Sequence, residues 1–354
     1  MRIGFPVEST NENWLHSSLV AMVSEIHRAL DSNQTSRDWL ESVPDAKKGL
    51  LRTRTALKAK LDRYQRVASR LSAANRAGVL AMLSAQNRIS EILACTVDCG
   101  TVLELPKTVR KPIKELFESA YDLLGNLHIR DGQYRIIWDA VPNHICPFCF
   151  DEHFDHPSLP RTDLDHFLLR SEYPFAAANL RNLVPMGKKC NQSYKGTTNM
   201  LFDKSGNRRK CFDPYVPREI DFNLVNSVPF GGSDGVTPRW QIDFDPYSDE
   251  CNTWDSVFKV RERFEKNILN PHFNEWLGMF ARWFVRVKGA QNVSDLLISS
   301  ALKEFGENEA NGGPSARDFL KVRVFNMLYE HCVRANSRLL NHLRDVIGKA
   351  VVPV

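Results

Sequence analysis

No stretch of about 18 consecutive apolar residues occurs in the chain, which excludes an ordinary membrane-spanning helix. The opening "MRIGFPVESTNENW" lacks the basic, apolar and small-residue order of a secretory signal, so a cytoplasmic protein is expected. Internal repeats and low-complexity segments are missing too, which removes solenoid and linker architectures. No excess of one charge dominates: a net +5 over 354 residues permits a nucleic-acid partner without demanding one. Eight cysteines at uneven spacings do not form a disulfide framework, and thiols or metal ligands are expected instead. What remains, 43% hydrophobic and 25% charged residues, is enough to bury two or three cores.

The pattern along the chain divides it into a helical region 1–140, a compact irregular region 141–217 and a helical region 218–354, mainly α with a small α+β insert. "ENWLHSSLVAMVSEIHRAL" places apolar residues 14, 15, 19, 22, 23, 26 and 30 on one helical face. A longer helical segment is expected from about Lys47 to Ala94, because no proline interrupts it and Leu57, Leu61, Tyr64, Leu71 and Val79 form a packing stripe. Ten residues from Lys47 to Arg76 are basic against one acidic residue, Asp62, so this face either is simply solvated or holds a phosphate backbone or acidic partner. "KTVRKPIKELFESAYDLLGNL" reads as a further helix, as do "WDSVFKVRERFEKNI", "FNEWLGMFARWFVRV" and "RDFLKVRVFNMLYEHC". "GENEANGGPSARD" reads as a loop, with Ser315 capping the helix after it.

In the central region, Cys146 and Cys149 of "HICPFCF" have the spacing that lets two thiolates reach one zinc ion from a tight turn. Cys190 is the natural third ligand. A second knuckle cysteine would fall at position 187, which is Gly187, so the fourth ligand comes from Cys211, the first choice, from His144, His153 or His156, or is missing. "DLDHFLLRS" reads as a strand carrying Asp165 and His166 on opposite faces. A second strand starts at Asn182 in "NLVPM", and a helix opens at "CNQSYKG".

That order of strand, loop, strand and helix, with "DLDHF", "NLVP" and "CNQSYKG" as its parts, resembles the HNH or ββα-metal endonucleases over residues 144 to 217. The match departs at Leu169, where the similar subclass has proline, and continues into "FDPY" at 212 to 215. The resemblance implies that Asp165 and Asn191 bind one Mg²⁺ or Mn²⁺, that His166 is the general base, and that Asn182 ties the loop that aims it. Lys195, Lys204, Arg208, Arg209 and Lys210 would meet substrate phosphates. A structural Zn²⁺ on Cys146, Cys149, Cys190 and Cys211 completes the expected module. The implied activity is hydrolysis of nucleic-acid phosphodiesters, DNA favoured over RNA, by an effector of prokaryotic anti-phage defence. Its expected partners are an ATPase of such a system or a second copy of the chain. Competing readings are a non-catalytic zinc-bearing nucleic-acid-binding or adaptor protein and a transfer-RNA-cleaving nuclease. Bland roles also compete locally: Asp163 as a strand-start residue, Asp155 and His156 as a chance pair, and Asn179 as a rival to Asn182.

Overall fold

The amphipathic stripe of the first helix folds as expected: α1 (Trp14–Asp31) buries Leu15, Leu19, Met22, Val23 and Ile26 in the computed structural model, which describes residues 2–160, 164–291, 293–309 and 316–351. Burying each such side chain contributes roughly 1.5–3 kcal/mol. The segment expected as one helix from Lys47 to Ala94 is instead four: α2 (Asp45–Arg52), α3 (Thr55–Ala68), α4 (Ala73–Gln86) and α5 (Ile89–Leu93). Polar caps rather than proline make two of the breaks. The Ser72 side chain accepts from Asn75 N–H and starts α4, and Asn87 ends it. The stripe itself survives the breaks, since Leu57, Leu61, Tyr64, Leu71 and Val79 are all buried. α3 lies along α6 (Lys107–Asn126), whose Val109, Ile113, Leu116, Phe117 and Leu124 face the same core, and α7 (Ile129–Ala140) follows.

The strands are short. Among the described residues three two-stranded sheets occur: β1 (Arg2–Ile3) with β4 (Arg218–Glu219), β2 (Asp165–His166) with β3 (Leu183–Val184), and β5 (Asp221–Asn223) with β6 (Asp243–Asp245). β2 and β3 are antiparallel, with Asp165 opposite Val184 and His166 opposite Leu183. The expected nine-residue strand thus contracts to two residues, and Asn182 closes a 3₁₀ turn (Leu180–Asn182) just before β3 instead of beginning it.

The chain forms two compact units, one of residues 2–148 and 153–218, the other of 149–152 and 219–351. Helices α1 to α7 fall in the same unit as most of the central region, residues 141–148 and 153–217. In the second unit the β5–β6 pair sets Phe222 opposite Phe244, and their rings meet Trp254 and Phe264. Here α8 (Ser248–Phe258) and α9 (Val260–Arg263) are separated by Lys259 in the left-handed region, and a π-helical stretch, Phe264–Leu269, leads into α10 (Asn270–Lys288). α11 (Asp295–Glu309) packs on α12 (Ala316–Val333), and α13 (Ser337–Val351) on α10. Gly306–Glu309, read as loop, are the last turn of α11. Ser315 and Asp163 lie outside the described residues. No described helix is long and apolar enough to cross a membrane.

Candidate active site

His166 sits on β2 with 8% of its surface exposed. Its Nε2 lies 2.9 Å from the Ala177 carbonyl, a group that only accepts, so Nε2 carries the proton and Nδ1 the lone pair. The Tyr121 ring of α6 covers the imidazole at 4.4 Å between centroids. Burial lowers the ring's pKa to about 3; the Ala177 bond opposes this, while the cations Arg170, Lys195 and Arg130 add to it.

Asn182, fully buried, accepts from Leu168 N–H at 2.6 Å and donates to Leu168 O at 3.0 Å and Ala176 O at 3.2 Å. It ties the two ends of the long loop together beside His166. β3 is held from α7, where Gln133 Nε2 donates to the carbonyls of Leu180 and Leu183 at 2.9 and 3.1 Å. The "FDPY" segment braces the same edge: Asp213 pairs with Arg181 at 2.6 Å, and the Tyr215 hydroxyl bonds Leu183 O.

The expected helix at "CNQSYKG" is a π-helical stretch, Cys190–Lys195. Its wider repeat turns both Cys190 and Lys195 inward. This corrects the expectation for Lys195. Its ammonium is buried, 2.7 Å from Asp165 Oδ2 and 2.7 Å from His166 O, and is a partner of the carboxylate rather than of substrate phosphates. Burial raises the Asp165 pKa, and Lys195 pulls it down. Asn191 stands one position into the π-helical stretch and is half-buried. A hard, largely hydrated cation such as Mg²⁺ needs only one or two protein ligands, a demand that the remaining Asp165 oxygen and the Asn191 amide match in chemistry.

Two of the expected phosphate contacts are also committed elsewhere. Arg208 donates to the carbonyls of Leu201, Arg209 and Ile92, and Arg209 to those of Met200 and Asn199. Lys204 and Lys210 are exposed. In the basic face of 47–76, five cations (Lys47, Lys48, Lys58, Arg63, Arg76) are in ion pairs, which favours the solvated-face reading.

The sulfurs of Cys146, Cys149 and Cys190 lie within 4.8 Å of one another, all buried, a set that suits zinc. Gly187 N–H donates to Cys146 Sγ at 3.3 Å and Glu152 N–H to Cys149 Sγ at 3.4 Å, bonds that favour thiolates. Phe150, just after the turn, holds a left-handed φ of 54°, a cost that tight knuckle geometry imposes on a non-glycine residue. Cys211 is not part of this group: its thiol bonds Met200 O at 3.0 Å. Nor are the histidines. His144 stacks on Trp138 with Nδ1 on Trp138 O, His156 bonds Ser158, and His153 is exposed beside Ile145. Three ligands therefore converge among the described residues, with Gly187 where the fourth would stand.

Sequence reasoning missed Tyr121 and Arg130 around His166 and Gln133 behind β3, because only folding brings them there, and assigned no role to Arg170, four residues along from His166. Arg130 Nη1 donates to the Tyr121 hydroxyl at 2.7 Å. No family model, no curated protein and no solved structure matches this chain.

Proposed function

We propose that the chain is a metal-dependent endonuclease of the HNH kind, hydrolysing nucleic-acid phosphodiesters with DNA favoured. The observation that carries this reading is the tautomer of His166: Nε2 is tied to a backbone carbonyl, so Nδ1 is a neutral base at cellular pH. Nδ1 takes a proton from water as the oxygen attacks phosphorus, and the P–O3′ bond breaks to leave a 5′-phosphate and a 3′-hydroxyl. Arg170 and Arg130, whose fields lower the pKa of the free ring, would face a bound phosphodiester. Its negative charge would offset theirs and so oppose part of the lowering, of which burial is the larger cause. Asp165 and Asn191 would hold the divalent cation, which when bound stabilises the charge on the departing oxygen. Cys146, Cys149 and Cys190 would hold a structural zinc ion.

The setting follows the resemblance: an effector in prokaryotic anti-phage defence, working with an ATPase or a second copy of itself. Co-purification with the product of a neighbouring gene supports that setting, and a monodisperse monomer with full unregulated activity contradicts it.

The ion pair between Lys195 and Asp165 favours one other reading, a zinc-bearing module that binds nucleic acid without cutting it. Incubating the protein with plasmid, single-stranded DNA and total RNA, with Mg²⁺ or Mn²⁺ and with or without chelator, separates the two. Chelator-sensitive nicking or degradation supports the nuclease. Retention of nucleic acid with every strand intact supports the binding module.

A further inference from the structure

The turn that supplies the Ala177 carbonyl is clamped from outside the hairpin. Phe175 N–H donates to Gln86 Oε1 at 3.0 Å, and Phe175 O accepts from Asn87 Nδ2 at 3.4 Å. On the other side of Ala177, Asn179 Nδ2 donates to Asn87 Oδ1 at 3.0 Å, and Asn179 Oδ1 accepts from Asn13 Nδ2 at 3.1 Å. Leu180 N–H donates to Asn13 Oδ1 at 3.0 Å. Gln86 and Asn87 are themselves fixed, donating to Gly100 O at 3.0 Å and Leu83 O at 2.8 Å. Two residues on either side of Ala177, amides from the end of α4 and the entry to α1 hold the chain, and residues 175 to 178 are fully buried.

Apolar side chains would fill the same space without needing every donor and acceptor matched. A satisfied polar network adds directional uniqueness, since it is satisfied in one arrangement of the turn only. The group whose direction matters is the Ala177 carbonyl. A neutral imidazole has one N–H, and whichever nitrogen finds the acceptor keeps it.

We propose that Gln86, Asn87, Asn13 and Asn179 are positioning residues for His166, holding the 175–180 turn so that Ala177 O accepts from Nε2 and Nδ1 stays unprotonated. This rests on the reading of His166 as the base. Displacing the carbonyl by about 1 Å removes the preference for that tautomer, a misplacement of the kind that costs on the order of 10²-fold in rate.

The test uses the full chain with ¹⁵N-labelled histidine, the His166 ring signals being identified by their loss in His166→Gln. The wild-type ring should show a protonated Nε2 and an unprotonated Nδ1. Asn87→Asp keeps the acceptor for Asn179 but removes the donor to Phe175 O and sets a carboxylate against that carbonyl. Its His166 nitrogens should move toward tautomer-averaged shifts, with kcat lowered about tenfold or more and KM unchanged. Asn13→Ala, at a half-buried residue that makes no capping bond to α1, should move them in the same direction. If either variant is folded by circular dichroism and keeps wild-type His166 shifts, the proposal is overturned. The ring signals need no substrate, so shifts that move in a protein inert on nucleic acid uphold the positioning role and remove the nuclease. Cleavage with shifts that stay put does the reverse.

Discussion

His166 is one of three buried histidines whose rings are held neutral, with pKa values lowered mainly by burial to about 3 for His166 and about 4 for His16 and His27. In the unfolded chain each ring binds a proton near pH 6.5, whereas the folded protein binds it only near pH 3 to 4. Stability from these groups is therefore complete above about pH 6.5 and lost as pH falls toward 4. At about 1.4 kcal/mol per pH unit for each shifted group, the loss should reach several kcal/mol. Urea midpoints measured at pH 7, 6, 5 and 4 should fall steadily, and a flat series contradicts the burial of these rings. The Lys195 to Asp165 pair makes a second residue-level prediction. Lys195→Met leaves a largely desolvated carboxylate without its cation and should cost about 3–5 kcal/mol of stability, the range for breaking a buried pair. A variant as stable as wild type would show that the pair is solvated after all.

At the level of elements, the 199–211 loop is held by Arg208 and Arg209 rather than offering them to a ligand. Arg209→Ala should lower the melting temperature yet leave the salt dependence of nucleic-acid binding unchanged. A phosphate contact would instead reduce the slope of log affinity against log salt by about 0.9. The cluster of Cys146, Cys149 and Cys190 makes a parallel prediction: the purified chain should carry about one zinc ion, and Cys190→Ser should lose it and melt earlier. Zinc content below a tenth of an equivalent in the wild type, purified without chelator, would reject the site. Elements with a strong stripe were legible from the sequence, α1, α6 and α10 among them, because their buried residues recur at helical spacing. The breaks inside 47–94 were not, because Ser72 starts and Asn87 ends α4 through side-chain bonds, with no proline involved. The π-helical stretch was likewise invisible, since its widening answers the need to bury Cys190 and Lys195 together.

Over the whole molecule, the candidate site takes its local parts from a short motif and its setting from residues far along the chain. Cys146, Cys149 and Cys190 were legible from spacing, and their sulfurs do converge. Asp165, His166 and Asn182 were named from the resemblance, and the fold places them on or beside one hairpin. Tyr121, Gln133, Asn13 and Asn87 were not legible, because each reaches the hairpin or its loop across 40 or more residues of sequence from within or at the end of a helix whose pattern reports only packing. Cys211, the first choice for a fourth ligand, does not join the converging sulfurs, and Met200 O holds its thiol instead. The helices α1 to α7 are thus part of the unit that shapes the site. The most direct measurement is single-turnover cleavage of plasmid with Mg²⁺ by wild type and His166→Ala purified side by side. Nicking by the wild type with a loss of at least about 10²-fold in the variant is the predicted result, matching the contribution of a general base. Equal rates for the two proteins would contradict the assignment of His166.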